Sequence, residues 1–142
     1  MPLVSITRLR VRSWLYLPVF VVQAFRVARQ AAAADGNLGI KLLRDRRNAF
    51  WTGTSWSAEA SMKAFMHSGV HGPVMRRLLD WCDEAAVVHW TQDAAELPSW
   101  AQAHQRIQQE GRPSKVNHPS AAHIAYEIPA PTTRRTGELR FK

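Results

Sequence analysis

The sequence is poor in cysteine and in long apolar runs. Cys82 is its single cysteine, so the chain can form no internal disulfide, and a reducing cytoplasm fits. The longest apolar run, Trp14 to Val22, is far shorter than the roughly 20 residues that cross a bilayer, and Pro18 interrupts it. The first residues, MPLVSITRLRVR, lack the pattern of a signal peptide. We therefore expect a cytoplasmic protein with no membrane span.

Acidic residues are also few, 11 against 19 lysines and arginines, which gives a net charge of +8. Such a charge can indicate a nucleic acid, an anionic membrane or an anionic ligand as partner. The basic residues are scattered and form no dense block, which favours a solvated basic surface. The segment AFWTGTSW has aromatics but not the Lys/Arg-Gly-aromatic pattern of an RNA-recognition strand. Nucleic-acid binding is therefore not expected.

Apolar periodicity predicts the element order β-α-β-β-α-β. Strands are predicted at 3–12, 38–45, 48–56 and 84–92. The first helix should begin near Leu17 or Pro18 after a turn from Ser13 to Tyr16, and Gly36 should take a left-handed conformation after it. The second helix should break into two pieces: one from an N-cap at Ser57 to Gly69, and one from Gly72-Pro73 with an inner stripe of Val74, Leu78, Trp81 and Cys82.

This order predicts an α+β ferredoxin-like fold, with an antiparallel sheet and both helices on one face. Val4 and Ile6 fall on one face of the first strand, and Leu3, Leu9 and Val11 on the other. Because both sets are too apolar for water, we expect a second subunit or the tail to cover the face away from the helices. Trp51 and Trp56 should lie on opposite faces of the third strand.

Five of the eight prolines lie from Pro98 onward, which indicates a change of organisation there. We predict a ferredoxin-like domain over residues 1–97 and a C-terminal helix and extended arm over 98–142. The helix should span residues 98–111, capped by Ser99 and ended by Gly111.

The element order, the strand FWTGTSW leading into SAEASMKAFMHSGVH, and the closing strand EAAVVHW together resemble the antibiotic biosynthesis monooxygenase-like group of dimeric α/β barrels. More narrowly, VSITRLRVRSW, GIKLLRD and VVHWTQD resemble proteins related to spheroidene monooxygenase. The resemblance covers about residues 1 to 95 and selects no single reaction. It implies a homodimer whose sheets face each other, and a pocket between each sheet and its own helices.

In haem-binding relatives, a histidine from the second helical region ligates the iron, and His71 is the nearest candidate here. The haem-degrading relatives place that histidine near the position of Met75, so their motif is not reproduced. His71 lies at the expected start of a helix, where the helix dipole disfavours an imidazolium ion. It is therefore a candidate metal ligand or base, and the alternative is a surface histidine at a helix break.

The other candidates each have a structural alternative as well. His89 on the last strand is a catalytic candidate or a satisfied core histidine. Trp56, Phe65 and Met66 can form a flat wall for a cofactor or simply core, and Arg44, with Arg8 and Arg10, can bind a carboxylate or lie in solvent. We predict that His67 is solvated and that Cys82 is buried and inert.

Three functions remain open at this point. The first is a cytoplasmic homodimeric haem protein, a monooxygenase-like oxidoreductase of a hydrophobic small molecule, with His71 as iron ligand. The second is a cofactor-free oxygenase or isomerase of the same fold, with His71 or His89 as base. The third is a non-enzymatic binding module whose basic tail, residues 112–142, could be deleted without loss of the fold.

Overall fold

The computed structural model describes residues 1–68, 71–132 and 137–142, with the backbone alone for residues 71 and 72. The strands are β1 (Leu3–Val11), β2 (Asn37–Arg44), β3 (Ala49–Trp56), β4 (Cys82–Thr91), β5 (Arg112–Pro113) and β6 (Glu138–Arg140). The helices are α1 (Leu17–Ala33), α2 (Glu59–Met66), α3 (His71–Trp81), α4 (Trp100–Glu110) and α5 (Ala121–Ala125). The strands form one antiparallel sheet in the order β5-β4-β1-β3-β2-β6.

The four central strands, in the order β4-β1-β3-β2, have the ferredoxin-like arrangement, which confirms the predicted α+β class. The second helix lies in two pieces, α2 and α3, as predicted. Residues 69 and 70, where the sequence predicted the break, lie outside the described residues. None of the helices formed by the described residues has the length and apolar content that a bilayer crossing would require.

Helix α1 begins at Leu17, a start that is compatible with the proline at position 18. Ser13 caps a short helical turn over Trp14–Tyr16, and Pro18 occupies the first turn of α1, where a missing N–H costs no helix hydrogen bond. After the helix, Gly36 has a φ of 85°, and a Cβ at this position would collide with Ser61. The predicted helix start and the left-handed glycine are thus confirmed.

Two local predictions are wrong. Ser57 does not cap α2: its N–H donates to the carbonyl of Gly36, and Ala58 takes the cap position without a side-chain hydrogen bond. Cys82 is not on a helix face, because it opens β4 and pairs with Val11. It is buried as predicted, and burial, with a smaller effect of the Asp83 carboxylate, raises the pKa of its thiol to about 12.

Helix α4 covers the sheet face away from α1, α2 and α3. Its Trp100, Ala103 and Ile107 are buried in the same cluster as Val4 and Ile6 of β1. The predicted cap is confirmed, since the Ser99 hydroxyl accepts from the Gln102 N–H and the Gln102 side chain accepts from the Ser99 N–H. Trp51 lies in this cluster and Trp56 in a cluster on the opposite side, as predicted.

The chain's own tail therefore covers this face, which confirms one of the two alternatives. A homodimer in which two bare sheets face each other would need the surface that α4 occupies, so that arrangement is incompatible with this structure. Residues 112–142 also pack on the rest of the chain, because β5 and β6 extend the sheet and Val116 and Ile128 are buried. Deletion of residues 112–142 should therefore destabilise the fold, contrary to the expectation for a separable tail. The domain boundary at residue 97 stays a prediction.

The packing of α4 predicts a large effect of truncating its buried face. Ile107→Ala should lower the free energy of unfolding by about 2 to 5 kcal/mol, because Ile107 is fully buried between helix and sheet. Gln105→Ala, an exposed position on the same helix, should change it by less than about 0.5 kcal/mol. Chemical denaturation measures both, and equal effects of the two substitutions would show that α4 does not pack on the sheet.

Candidate active site

A cavity of about 550 Å³ lies between the sheet and helices α1, α2 and α3. Its size is within the usual range for pockets that hold a small organic molecule. Apolar residues make most of its walls, and the polar residues are concentrated on the floor and at one edge.

The floor consists of hydroxyl side chains from the two central strands. Thr7 of β1 lies opposite Thr52 of β3, and Ser5 lies opposite Thr54. On its other side, Ser5 lies opposite His89 of β4. All five residues line the cavity, so that a row of hydrogen-bonding groups runs beneath an apolar space.

Two separate apolar clusters border this floor and leave the space between them. The Trp56 cluster contains Leu3, Ile40, Trp56, Met62 and Phe65, with Ala28 and Ala31 of α1. The Phe20 cluster contains Val11, Phe20, Trp81, Cys82, Ala85 and Val116. Ala28 and Ala31 of the Trp56 cluster and Ala24 beside the Phe20 cluster present small side chains of α1 to the cavity. Small residues above hydroxyls cannot fill this volume, which is the physical origin of the cavity.

Trp56 makes the flat wall at one end. Its ring packs against Phe65 at 5.3 Å between ring centroids and a tilt of 31°, and Met66 lines the cavity beside them. Trp56 is 1% exposed, and its Nε1 donor has no hydrogen-bond partner among the described residues. The sequence predicted these three aromatic and sulfur side chains as a wall, and all three line the cavity.

His89 is the titratable group of the floor. Burial lowers the pKa of its imidazole below the ordinary value, the nearby Arg112 guanidinium lowers it further, and Glu59 opposes the shift. The lowered pKa favours the neutral ring, which can accept a proton. The residue is exposed and is among those that line the cavity.

Residues 112 to 116 form one edge of the cavity, and sequence reasoning missed them. They bring Arg112 and Lys115, and the described lining residues include no aspartate or glutamate. The hydroxyls of the floor were missed as well, although Ser5 and Thr7 alternate with apolar residues on β1. That alternation could have indicated a site, because a sheet face covered by helices is expected to be apolar and polar residues on it are informative.

The other predicted residues lie elsewhere. The side chain of His71 is outside the described part of the chain, and Arg44 is exposed and is not among the lining residues. Arg8 and Arg10 lie on the α4 face of β1. Arg8 forms an ion pair of 2.7 Å with Glu84, and Arg10 one of 2.7 Å with Asp83, so both are engaged within the protein.

The sequence matches the family described as domain of unknown function DUF3291 over residues 20–118. The matched region includes α4 and continues through the cavity edge at residues 112 to 116. A comparison with curated proteins gives no significant match.

Solved structures share the fold at low sequence identity. SnoaB, a cofactor-independent oxygenase from Streptomyces nogalater, is 17% identical, with a TM-score of 0.55 over 66% of this chain and 94% of SnoaB. Rv0793 from Mycobacterium tuberculosis is 13% identical, with a TM-score of 0.60 over 68% and 100% of the two chains. A Nitrosomonas europaea protein described as an antibiotic biosynthesis monooxygenase is 15% identical, with a TM-score of 0.58 over 64% and 89%. At these identities the likeness establishes the antibiotic biosynthesis monooxygenase-type fold alone.

The expectation of haem, with His71 as iron ligand, is wrong. SnoaB, which shares this fold, is a cofactor-independent oxygenase. Within the described residues, no three His, Cys, Asp or Glu side chains are grouped as a metal site. The prediction failed because the resemblance identified a fold that different chemistries share, and a fold does not specify a cofactor.

The electrostatics of His89 can be tested by removing its charged neighbours one at a time. Arg112→Gln should raise the pKa of His89, because a positive charge near the ring disfavours imidazolium, and Glu59→Gln should lower it further. Titration of the His89 ring by NMR measures both shifts. Arg46→Gln removes a charge from the exposed β2–β3 turn and is the control. An unchanged pKa in Arg112→Gln would contradict this description.

Proposed function

We propose that this chain, which belongs to the DUF3291 family, is a cofactor-free oxygenase of flat, hydrophobic, weakly acidic small molecules. The observation that carries the proposal is the position of His89 on the floor of an apolar cavity large enough for such a molecule, where burial lowers the pKa of its imidazole. The cofactor-independent activity named for SnoaB supports it by analogy of fold.

In this proposal the substrate lies against Trp56 and above the hydroxyl floor. Aromatic rings favour offset or tilted contacts with other rings, and Trp56 and Phe65 are the aromatic residues that line this end of the cavity. Ser5 and the threonines of β1 and β3 then hydrogen-bond the polar substituents of the substrate.

His89 acts as the general base. It removes a proton from an activated C–H group of the substrate, and the resulting carbanion is stabilised by conjugation. The carbanion reacts with O₂ to form a C–O bond, and protonation by the His89 imidazolium gives a hydroperoxide. Loss of water then breaks the O–O bond and leaves a carbonyl. The methylene and O₂ are consumed, and a ketone and one water are formed, so no external reductant is required.

A matched pair of variants tests the base. We expect the wild-type chain to consume O₂ with a tricyclic ketone that has an acidic methylene, such as anthrone. His89→Gln should reduce kcat by about 10² or more, the usual contribution of a general base, whereas His118→Gln, an exposed histidine outside the cavity lining, should not. The rate should fall as the pH falls through the pKa of His89, because the protonated ring cannot accept a proton.

The competing assignment is His71, which the sequence also predicts as a catalytic residue. A His71→Gln variant that loses turnover, together with a His89→Gln variant that keeps it, would contradict the choice of His89. The same base could serve an isomerase, but the relation of fold to an oxygenase favours O₂ as the co-substrate. The narrower likeness to spheroidene monooxygenase-related proteins and a cytoplasmic location stay predictions.

The homodimer implied by the resemblance also stays a prediction, and it needs a surface other than the sheet. Exposed apolar side chains follow the outer side of α1 and the turn before it, among them Trp14 at 73%, Leu15 at 66% and Val22 at 57% exposure. Such a contiguous patch is typical of an interface between subunits. We propose that this surface pairs two copies of the chain.

Light scattering after size exclusion tests this pairing. The wild-type chain should have twice the chain mass of 16.1 kDa, and Val22→Glu should have the mass of one chain, because it places a charge in the centre of the patch. Ile124→Glu on α5, a position that is 74% exposed, is the control and should keep the dimer. A wild-type monomer at micromolar concentration would contradict the proposal.

A further inference from the structure

We infer that the cavity takes an aromatic acid, whose carboxylate is bound by Arg112 and Lys115 at the edge next to β4. This inference rests on the proposed function, since it specifies the substrate class of the same cavity. It adds a second requirement to hydrophobicity, namely a negative charge at one end of the molecule.

The charges of the lining favour an anion. Arg112 and Lys115 both line the cavity, and no acidic residue does so among the described lining residues. Among the described residues, ion pairs engage other cations, such as Arg8, Arg10 and Lys41, and none of them includes Arg112 or Lys115. A carboxylate at this edge would supply the charge-assisted hydrogen bonds that both side chains can donate.

The backbone that holds the two cations is fixed to the sheet. Arg112 pairs with Val87 of β4, which also lines the cavity. The Ser114 N–H donates to the carbonyl of Ala85 at 2.9 Å, and beyond it Val116 is buried in the Phe20 cluster. A cation on an anchored segment loses less freedom on binding a ligand than one on a mobile loop, so the site is partly organised in advance.

The two ends of the cavity differ in chemistry, and their separation suits a molecule with two different ends. Trp56 lies on β3 and Arg112 on β5, with β4 and β1 between them. Through Leu3, Trp56 is aligned with Thr91 of β4, four residues along that strand from Val87, the partner of Arg112. Three strand spacings of about 4.8 Å across the sheet and four residues of about 3.4 Å along it put roughly 20 Å between the two backbones. The side chains of Trp56 and Arg112 both line the cavity and occupy part of this distance, and a fused three-ring system with a carboxylate at its end fits the remainder. The charge of Arg112 also reaches the interior, since it contributes to the lowered pKa of His89.

Two ligands that differ only in charge test the inference. We would titrate the full chain with 2-anthracenecarboxylate and with the neutral 2-anthracenecarboxamide, and follow Trp fluorescence and calorimetry. The acid should bind about tenfold or more tightly than the amide, which is the usual effect of hydrogen bonds to charged groups. Salt should weaken binding of the acid more than that of the amide.

The double variant Arg112→Gln/Lys115→Gln should bind the acid only as well as the amide. Arg46→Gln, which lowers the net charge at the exposed β2–β3 turn, should keep the preference for the acid. Circular dichroism and the retained binding of the amide show that the double variant is folded.

The possible failures are distinguishable. Equal binding of the acid and the amide by the wild-type chain would overturn the inference and leave the proposed function standing. A preference for the acid that survives in the double variant would overturn the assignment to Arg112 and Lys115. No binding of either compound would overturn the cavity as a ligand site, and with it the proposed function.

Discussion

The chain itself covers both faces of the sheet. The rest of the structure depends on a difference between them: one face is packed closely and the other incompletely. On one face, Trp100 and Ile107 of α4 pack closely against Val4, Ile6 and the other branched and aromatic side chains of the strands. Burial of this apolar area stabilises the fold. This packing holds the central strands in place, so the opposite face of the sheet can be covered incompletely.

That incomplete covering creates the site. The hydroxyls of Thr7 and Thr52 are poor partners for an apolar helix face, and the alanines of α1 are too small to reach them. The same surroundings lower the pKa of His89. A side chain partly removed from water and next to a guanidinium stays neutral, which is the state that a proton acceptor needs. The incompletely packed face of the sheet thus contains the candidate site.

The sequence predicted the fold because its signals are periodic. The alternation on β1 separated the two faces correctly, and Pro18 marked the start of α1. Side chains on long regular elements, such as Trp56, could therefore be assigned to a wall. Arg112 could not be assigned to the site from the sequence, because it lies on a strand of two residues that joins the sheet edge only in the folded structure. The cofactor was predicted wrongly for another reason, namely that a fold shared by several chemistries does not specify one of them.

The central claim is that the helix side of the sheet contains an apolar cavity above a hydroxyl floor, and crystals pressurised with xenon test it most directly. Xenon enters apolar cavities without needing any specific ligand chemistry. The structure predicts xenon density between Ala28 of α1 and Thr52 of β3. A crystal structure with no xenon there, and with the side chains of α1 packed directly on Thr7 and Thr52, would contradict the account.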